Sequence, residues 1–586
     1  MTPKTDIDPS DAERTSPTGA DALVEALVAV GIEHIFGVPG DTGVGFYDAL
    51  ARNTGRIRHV LARDERHAAF MADAYARSTN RLGVVEVSSG GGTTFVVGGM
   101  GESFASGVPV LLITSDIHTS SHGTGALTEI DQVKLFSAVT KHIHVVQPQD
   151  DIAEVIREAA TVAVSGRPAP VAVIFPEDVF DRGETVVPRS PGSAPVSRTR
   201  TLRAPAESVA RAASLLATAR RPAVYAGSGV HSSEAWEELA ALATRAALPV
   251  ATSIHGKGSV TDDFPLSLGV SGNNGGRDYA LEYLSGADVV LFVGTRANAT
   301  DTNAWTAPDR GSVRAIQIDV EAARAGRNFP GAISLPGDAR TVLAALHEAV
   351  PAADETVARN RVEWIAKARA AWAANFAKYA PEPGPGRLAP AEVVTTINRL
   401  AGDDVIAVGD PGTPTPYLAS FWHLRRTGRN VIIPRGHGPM GYAIPAAVGV
   451  AVGNPGTPVV SFTADGSFAM SCGELETVVR LGLPIAYVQF TNFSLGWIKM
   501  LQHLYYGETY FGVDPGPTDA PAVARASGLE AARVTTPEEL ETAVAGFLAD
   551  PRPLYLDVTV PHMIESPPPV SSWWESMEQG AGRPVY

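Results

Sequence analysis

The sequence predicts an α/β protein of three domains, each built on a central parallel sheet. Three observations point there. Short apolar runs, such as those at 108–115 and 459–463, have the length and composition of strands buried on both faces. Stretches of helical periodicity separate them, so consecutive strands join by crossovers rather than hairpins. Two Pro-rich stretches, at 187–203 and at PEPGPG over 381–386, divide the 586 residues into parts of ordinary domain size. The resulting domains are 17–187, 204–350 and 387–564, after a disordered start at 1–16 and before a C-terminal segment at 565–586.

Composition narrows the function class. A formal charge of −16 argues against broad electrostatic binding to nucleic acid. No apolar run reaches the length of a membrane span, and the first twenty residues are polar and acidic, unlike a signal peptide. A cytoplasmic enzyme acting on a small molecule is expected. The single cysteine, Cys472, excludes an internal disulfide and a multi-cysteine metal site, and its helical neighbourhood suits packing better than nucleophilic chemistry.

The first domain opens with a helix over 20–30, where Leu23, Leu27 and Val28 recur at helical spacing. HIFGVPGD then runs as a strand into a turn over 37–40, and VVEVSSGGGTTF at 84–95 is a buried strand ending in a glycine turn. In the middle domain RPAVYAGSG and ADVVLFVGTR are strands of a Rossmann-like unit, with Lys257 and Arg296 in turns where a nucleotide phosphate could meet them. The third domain contains a complete strand-helix-strand unit. Its first strand ends in the turn Ala464-Asp465-Gly466-Ser467, where Gly466 is free to take an unusual dihedral angle. Ser471 and Glu474 form a capping-box signature for a helix that turns Leu475, Val478 and Val479 to a sheet. The next strand ends at Thr491-Asn492. At the far end, ESPPPVSSWW is too apolar for a free tail, so Trp573 and Trp574 are expected in an ordered lid or a subunit contact.

Asp465 and Asn492 lie 27 positions apart, which brings both to the carboxyl ends of neighbouring strands, where open α/β sheets bind ligands. A carboxylate, an amide oxygen and a loop carbonyl near Ser494 give a hard divalent cation oxygen ligands, while leaving positions for phosphate and water. A magnesium diphosphate is the ligand these groups suit.

The stretch from Ala464 to Asn492 resembles the thiamine-diphosphate motif of the acetolactate synthase and pyruvate oxidase superfamily, which begins GDG and ends NN. Ala464 and Thr491 replace one letter at each end, and neither replacement removes a metal ligand. The resemblance continues through LGWIK at 495–499, similar to LGMVR in acetolactate synthases, and through GHGPMGYAIPAAVG at 436–449. It also extends to HVLARDERHAAFMADAYARS at 59–78, similar to the strand and helix that carry the family's essential glutamate.

This resemblance implies a pyrimidine-binding first domain, a middle domain that holds ADP, CoA, FAD or nothing, and a diphosphate-binding third domain. It implies thiamine diphosphate and Mg2+ as cofactors, the metal on Asp465, Asn492 and the backbone at Ser494. Glu65 becomes the carboxyl that bonds the cofactor's pyrimidine and promotes its imino form. Pro39, Gly40, Ser89, Gly438, Met440, Ala464, Gly466, Ser467, Leu495 and Gly496 become candidates for lining the cofactor, with Met440 supporting its bent shape. Ile498 and Lys499 are expected to face the substrate, and His118, His122 and Leu127 to reach it from the first domain's loop. A homodimer or homotetramer follows from the same resemblance.

Departures from the family bear on substrate. Leu127-Thr128-Glu129 stands where acetolactate synthases have Phe-Gln-Glu, GDPGTPTP at 409–416 stands where they have GQHQ, and Phe95 replaces an asparagine. Arg296 lacks the RFDDR context of flavin-containing relatives, so FAD ranks behind ADP or CoA. The altered Leu127-Thr128 pair and the C-terminal segment favour a lyase or decarboxylase acting on a 2-hydroxyacyl-CoA or 2-oxo acid. The alternative is an acetolactate synthase that joins two pyruvates with loss of CO2, favoured by LGWIK and by PLSLG at 265–269.

Overall fold

Three six-stranded sheets, all with parallel pairing, follow one another along the chain. The computed structural model describes residues 17–183, 196, 198, 202–580 and 582–583. The expected disordered start at 1–16 and most of the linker at 187–203 lie outside the described residues.

The first sheet contains β1 (His34–Val38), β2 (Arg58–Leu61), β3 (Gly83–Val87), β4 (Val110–Asp116), β5 (His142–Val145) and β6 (Val171–Pro176), in the order β2-β1-β3-β4-β6-β5. Strands β3, β4 and β6 are buried at every residue, which is why they read as continuous apolar runs. One face is covered by the helices Gly19–Ala29 and Ile152–Val164, which bring Leu23, Leu27, Ile156 and Ala160 onto the sheet. Thr18 caps the first of these through a reciprocal capping box with Asp21.

The second sheet contains β7 (Pro222–Ala226), β8 (Val250–Thr252), β9 (Ser267–Val270), β10 (Val289–Val293), β11 (Arg314–Asp319) and β12 (Ile333–Pro336). Its order, β12-β11-β10-β7-β8-β9, is the Rossmann arrangement. The third contains β13 (Ile406–Gly409), β14 (Val431–Ile432), β15 (Val459–Ala464), β16 (Ile485–Thr491), β17 (Glu530–Val534) and β18 (Leu554–Thr559), in the order β14-β13-β15-β16-β18-β17.

The chain divides into two compact units, one running to 73 and from 81 to 198, the other taking Ala74–Asn80 and everything from 199 on. The second and third sheets therefore share a unit. Buried Asp262 helps to join them. It accepts from the Arg277 guanidinium at 2.6 Å and from the backbone N–H of Leu424 at 2.8 Å, and it pairs with Lys257 at 3.4 Å. Breaking such a buried group costs about 3–5 kcal/mol because it strands the remaining charge. Lys257 is only 3% exposed, so the expectation that it meets a nucleotide phosphate is corrected: it neutralises Asp262 instead.

Other local expectations also change. Ahead of the Pro-rich stretch at 381–386, Glu355–Ala374 is a helix of 20 residues, capped by Asp354 and anchored by buried Ile365, an element the sequence reading did not name. The capping box at Ser471 does not form. The helix starts earlier, at Asp465–Ser471, passes through a 3-10 turn at Cys472–Glu474 and resumes over Leu475–Leu481, while the Ser471 hydroxyl donates back to the Ser467 carbonyl. The tail forms a helix, Ser571–Gln579, whose buried Trp573 packs against Trp497 with ring centroids 4.5 Å apart and planes tilted by 55°.

Candidate functional site

In the third sheet the strand order reverses between β13 and β15, and such a switch point leaves a crevice at the carboxyl ends of the strands. A cavity of about 200 Å³ lies there. It is lined by Pro411–Thr413 after β13, Ala464–Ser467 after β15, Ser494–Ile498 after β16, and Arg435, Gly438 and Met440 from the loop after β14. The parallel pairing of β15 with β16, Ala464 opposite Phe490, brings Asp465 and Asn492 to one edge as the sequence predicts.

Asp465 is held tightly. One carboxylate oxygen accepts from the Gly466 N–H at 2.8 Å, the other from the N–H groups of Asn492 at 3.1 Å and Phe493 at 2.5 Å. Burial pushes its pKa up, and these backbone bonds hold it back. The Asn492 amide oxygen accepts from the Ser494 N–H at 3.2 Å, while its amide nitrogen is buried without a partner. The Ser467 hydroxyl also lacks a hydrogen-bond partner, although it lies near enough to Asp410 to ease that acid's ionisation. Of the two, Ser467 lines the cavity, and an orphaned polar group on a cavity wall is what a polar ligand would satisfy.

Gly466 has a reason to be glycine, but a different one from that expected. It lies inside a helix, and a Cβ there would come within 2.7 Å of Leu495 Cδ2 and 3.1 Å of Met440 Cε. The missing side chain keeps the cavity open. Among the described residues no cluster of three or more His, Cys, Asp or Glu forms a metal site, so an ion at Asp465 and Asn492 would complete its shell with backbone and phosphate oxygens. The oxygen donors and orphaned hydroxyl fit a metal-bound diphosphate.

Of the two residues expected to face a substrate, Ile498 lines the cavity and is 46% exposed. Lys499 does not line it. Its ammonium pairs with both Asp514 oxygens, at 2.8 and 3.1 Å, and lies over the Tyr510 ring, so its charge is engaged by another partner.

The first sheet has its own cluster, described by itself. Glu65 opens the helix Glu65–Thr79 just after β2, half-buried, and burial raises its pKa above the ordinary carboxylate value. Pro39 and Gly40 follow β1, and the Gly40 N–H donates to the Tyr47 hydroxyl at 3.2 Å. Thr42 joins Ser115 at 2.7 Å and Ser89 at 3.2 Å, and Ser89 joins Thr128 at 2.7 Å. The loop residues are more open. Leu127 is 85% exposed, the ring of His118 accepts from the Ser120 N–H, and His122 lies 3.6 Å from Asp116. Glu129 accepts three backbone N–H groups, from Gly123, Gly125 and Ala126, and so organises this loop.

Sequence reasoning missed two groups. Asp410, buried at the end of β13, accepts from the Thr463 hydroxyl at 2.6 Å and the Ala443 N–H at 3.0 Å, and burial pushes its pKa up to about 6. The signal was present: VGD ends one strand as TAD ends another two strands later. Arg435, the one cation among the described residues that line the cavity, stands just ahead of the GHGPM segment.

Comparisons with known proteins agree with this geometry. Three family models match: the thiamine pyrophosphate enzyme N-terminal TPP binding domain over 17–135, its central domain over 209–346, and its C-terminal TPP binding domain over 410–558. A probable acetolactate synthase large subunit of Methanocaldococcus jannaschii is 32% identical over 553 residues, covering 92% of each chain. An acetolactate synthase of Arthrospira platensis is 32% identical over 93% of this chain and 94% of its own. A chloroplastic acetolactate synthase of Brassica napus is 30% identical over 97% of this chain and 88% of its own.

Proposed function

This chain belongs to the thiamine-diphosphate-dependent enzymes of the acetolactate synthase and pyruvate oxidase superfamily, and we propose that it joins two 2-oxo acid molecules with loss of CO2, as an acetolactate synthase does. The reading favoured by the Leu127 loop, a lyase for 2-hydroxyacyl-CoA, gives way because the three relatives described above are acetolactate synthases. One observation supports the site assignment above others: Asp465, Asn492 and the orphaned Ser467 hydroxyl gather at the switch point of the third sheet.

Bound thiamine diphosphate supplies a carbon nucleophile for a carbonyl and a sink for the electron pair freed when the neighbouring carbon-carbon bond breaks. The chain's own residues supply the rest. Asp465, Asn492 and the Ser494 backbone are proposed to hold Mg2+ against the diphosphate. Glu65, its carboxyl made less acidic by burial, holds a proton at the pyrimidine nitrogen. Met440 and Leu495 give the cavity an apolar wall, and Ile498 meets the substrate at its mouth. An assembly of at least two chains is part of the proposal, and sedimentation of the holoenzyme tests it.

The deciding experiment supplies pyruvate to the chain loaded with thiamine diphosphate and Mg2+. Acetolactate and CO2 should form in equal amounts. Cleavage of a 2-hydroxyacyl-CoA with no turnover of pyruvate would restore the lyase reading.

A further inference from the structure

Arg435 enters the cavity from the loop after β14, three residues ahead of Gly438. A Cβ built on Gly438 would lie 4.0 Å from the Arg435 guanidinium and 3.9 Å from Pro411 Cβ, so the guanidinium and the loop after β13 converge on one point of the cavity wall. That loop is poor in side-chain donors. Pro411 has no N–H, Gly412 has no side chain, and only Thr413 brings a polar side chain. The position of Arg435 is fixed through its backbone, whose N–H donates to His255 Nε2 at 3.2 Å, and His255 belongs to the short 3-10 turn Ile254–Gly256 pinned by the Ser253 hydroxyl. The other charge on the cavity wall is the acid Asp465, which is engaged by backbone N–H groups and by the proposed metal.

Resting on the thiamine-diphosphate reading above, we propose that Arg435 binds the cofactor's diphosphate, beside a loop whose one polar side chain is that of Thr413. One Mg2+ leaves a diphosphate ester with net negative charge. A planar guanidinium offers paired donors to phosphate oxygens and stays charged at every relevant pH. Arg435 is therefore a binding residue for the cofactor rather than for the substrate.

Calorimetric titration of the cofactor-free chain with magnesium thiamine diphosphate, and separately with thiamine monophosphate, tests this. Arg435→Gln should raise the Kd for the diphosphate about ten- to hundredfold and change monophosphate binding much less, with Arg435→Lys in between. The melting temperature of each cofactor-free variant checks that the fold is intact. Equal diphosphate Kd for wild type and Arg435→Gln, with a raised KM for pyruvate instead, would overturn the proposal and assign Arg435 to the substrate. Failure of the wild-type chain to bind the diphosphate at all would remove the underlying functional reading as well.

Discussion

The first and third sheets have the same strand order, second-first-third-fourth-sixth-fifth, and each places its reversal between its first and third strands. Their crevices are furnished in opposite ways. At the first, Thr42, Ser89, Ser115 and Thr128 bond to one another, so the hydroxyls satisfy themselves and Glu65 is left as a half-buried acid at the head of its helix. At the third, the Ser467 hydroxyl and the Asn492 amide nitrogen have no hydrogen-bond partner, and Ser467 lines a cavity. In the proposed function one scaffold serves two purposes. A self-satisfied end suits the positioning of a single proton-holding group, whereas an end with unmet hydrogen bonds is prepared for a charged ligand.

The sharpest way to break that contrast is to exchange the roles. Asp465→Ala should weaken magnesium-dependent binding of thiamine diphosphate by at least about a hundredfold in calorimetry, since it removes the carboxylate that would face the metal. Glu65→Gln should leave that affinity within a few-fold and instead slow exchange of the cofactor's reactive C2 proton by orders of magnitude, followed by NMR. If Glu65→Gln abolished binding while Asp465→Ala spared it, the two ends would have been assigned the wrong way round. Gly466→Ala is expected to raise the cofactor Kd roughly tenfold yet cost less than about 1 kcal/mol of stability, because the new methyl meets only the movable ends of Leu495 and Met440.

Asp410 sharpens the comparison through pH. Its pKa in the folded chain, about 6, lies above the ordinary carboxylate value, so the native state holds this proton more tightly than the unfolded chain. Its contribution to stability is complete below the ordinary carboxylate range and is lost as pH rises through about 6. Asp410→Asn should flatten the melting temperature against pH over that window, and an unchanged slope would show that another group carries it. The smallest effect is expected at Lys499. Because it pairs with half-exposed Asp514 outside the cavity, Lys499→Gln should change kcat/KM less than about threefold and stability by less than about 1 kcal/mol.

Much of this was legible in the sequence where local pattern and tertiary need coincide. The continuous apolar run at Val459–Ala464 forms a strand buried almost throughout, and the helical crossover brings Asp465 beside Asn492. Pattern failed where a single side chain answers to distant partners. Asp262 stands only five residues from Lys257, but its burial could not be read there, because it is fixed in turn by Arg277 and by the backbone of Leu424 far along the chain. Lys499 likewise found Asp514, on a segment that folds back onto its helix through Gln502 and the backbone of Phe511. Ser471 carried the right letters for a helix start, but the chain had already turned helical at Asp465. Arg435 and Asp410 lie on loops whose meeting is set by strand order, which no short motif encodes.

The contact between Trp497 and Trp573 offers an optical handle. Trp497 lines the cavity and its ring lies 4.5 Å from that of fully buried Trp573, tilted by 55°. Two indoles at that spacing couple electronically, so a chromophore entering beside them should alter near-ultraviolet circular dichroism and quench emission. Occupancy could then be followed by stopped-flow spectroscopy without a label.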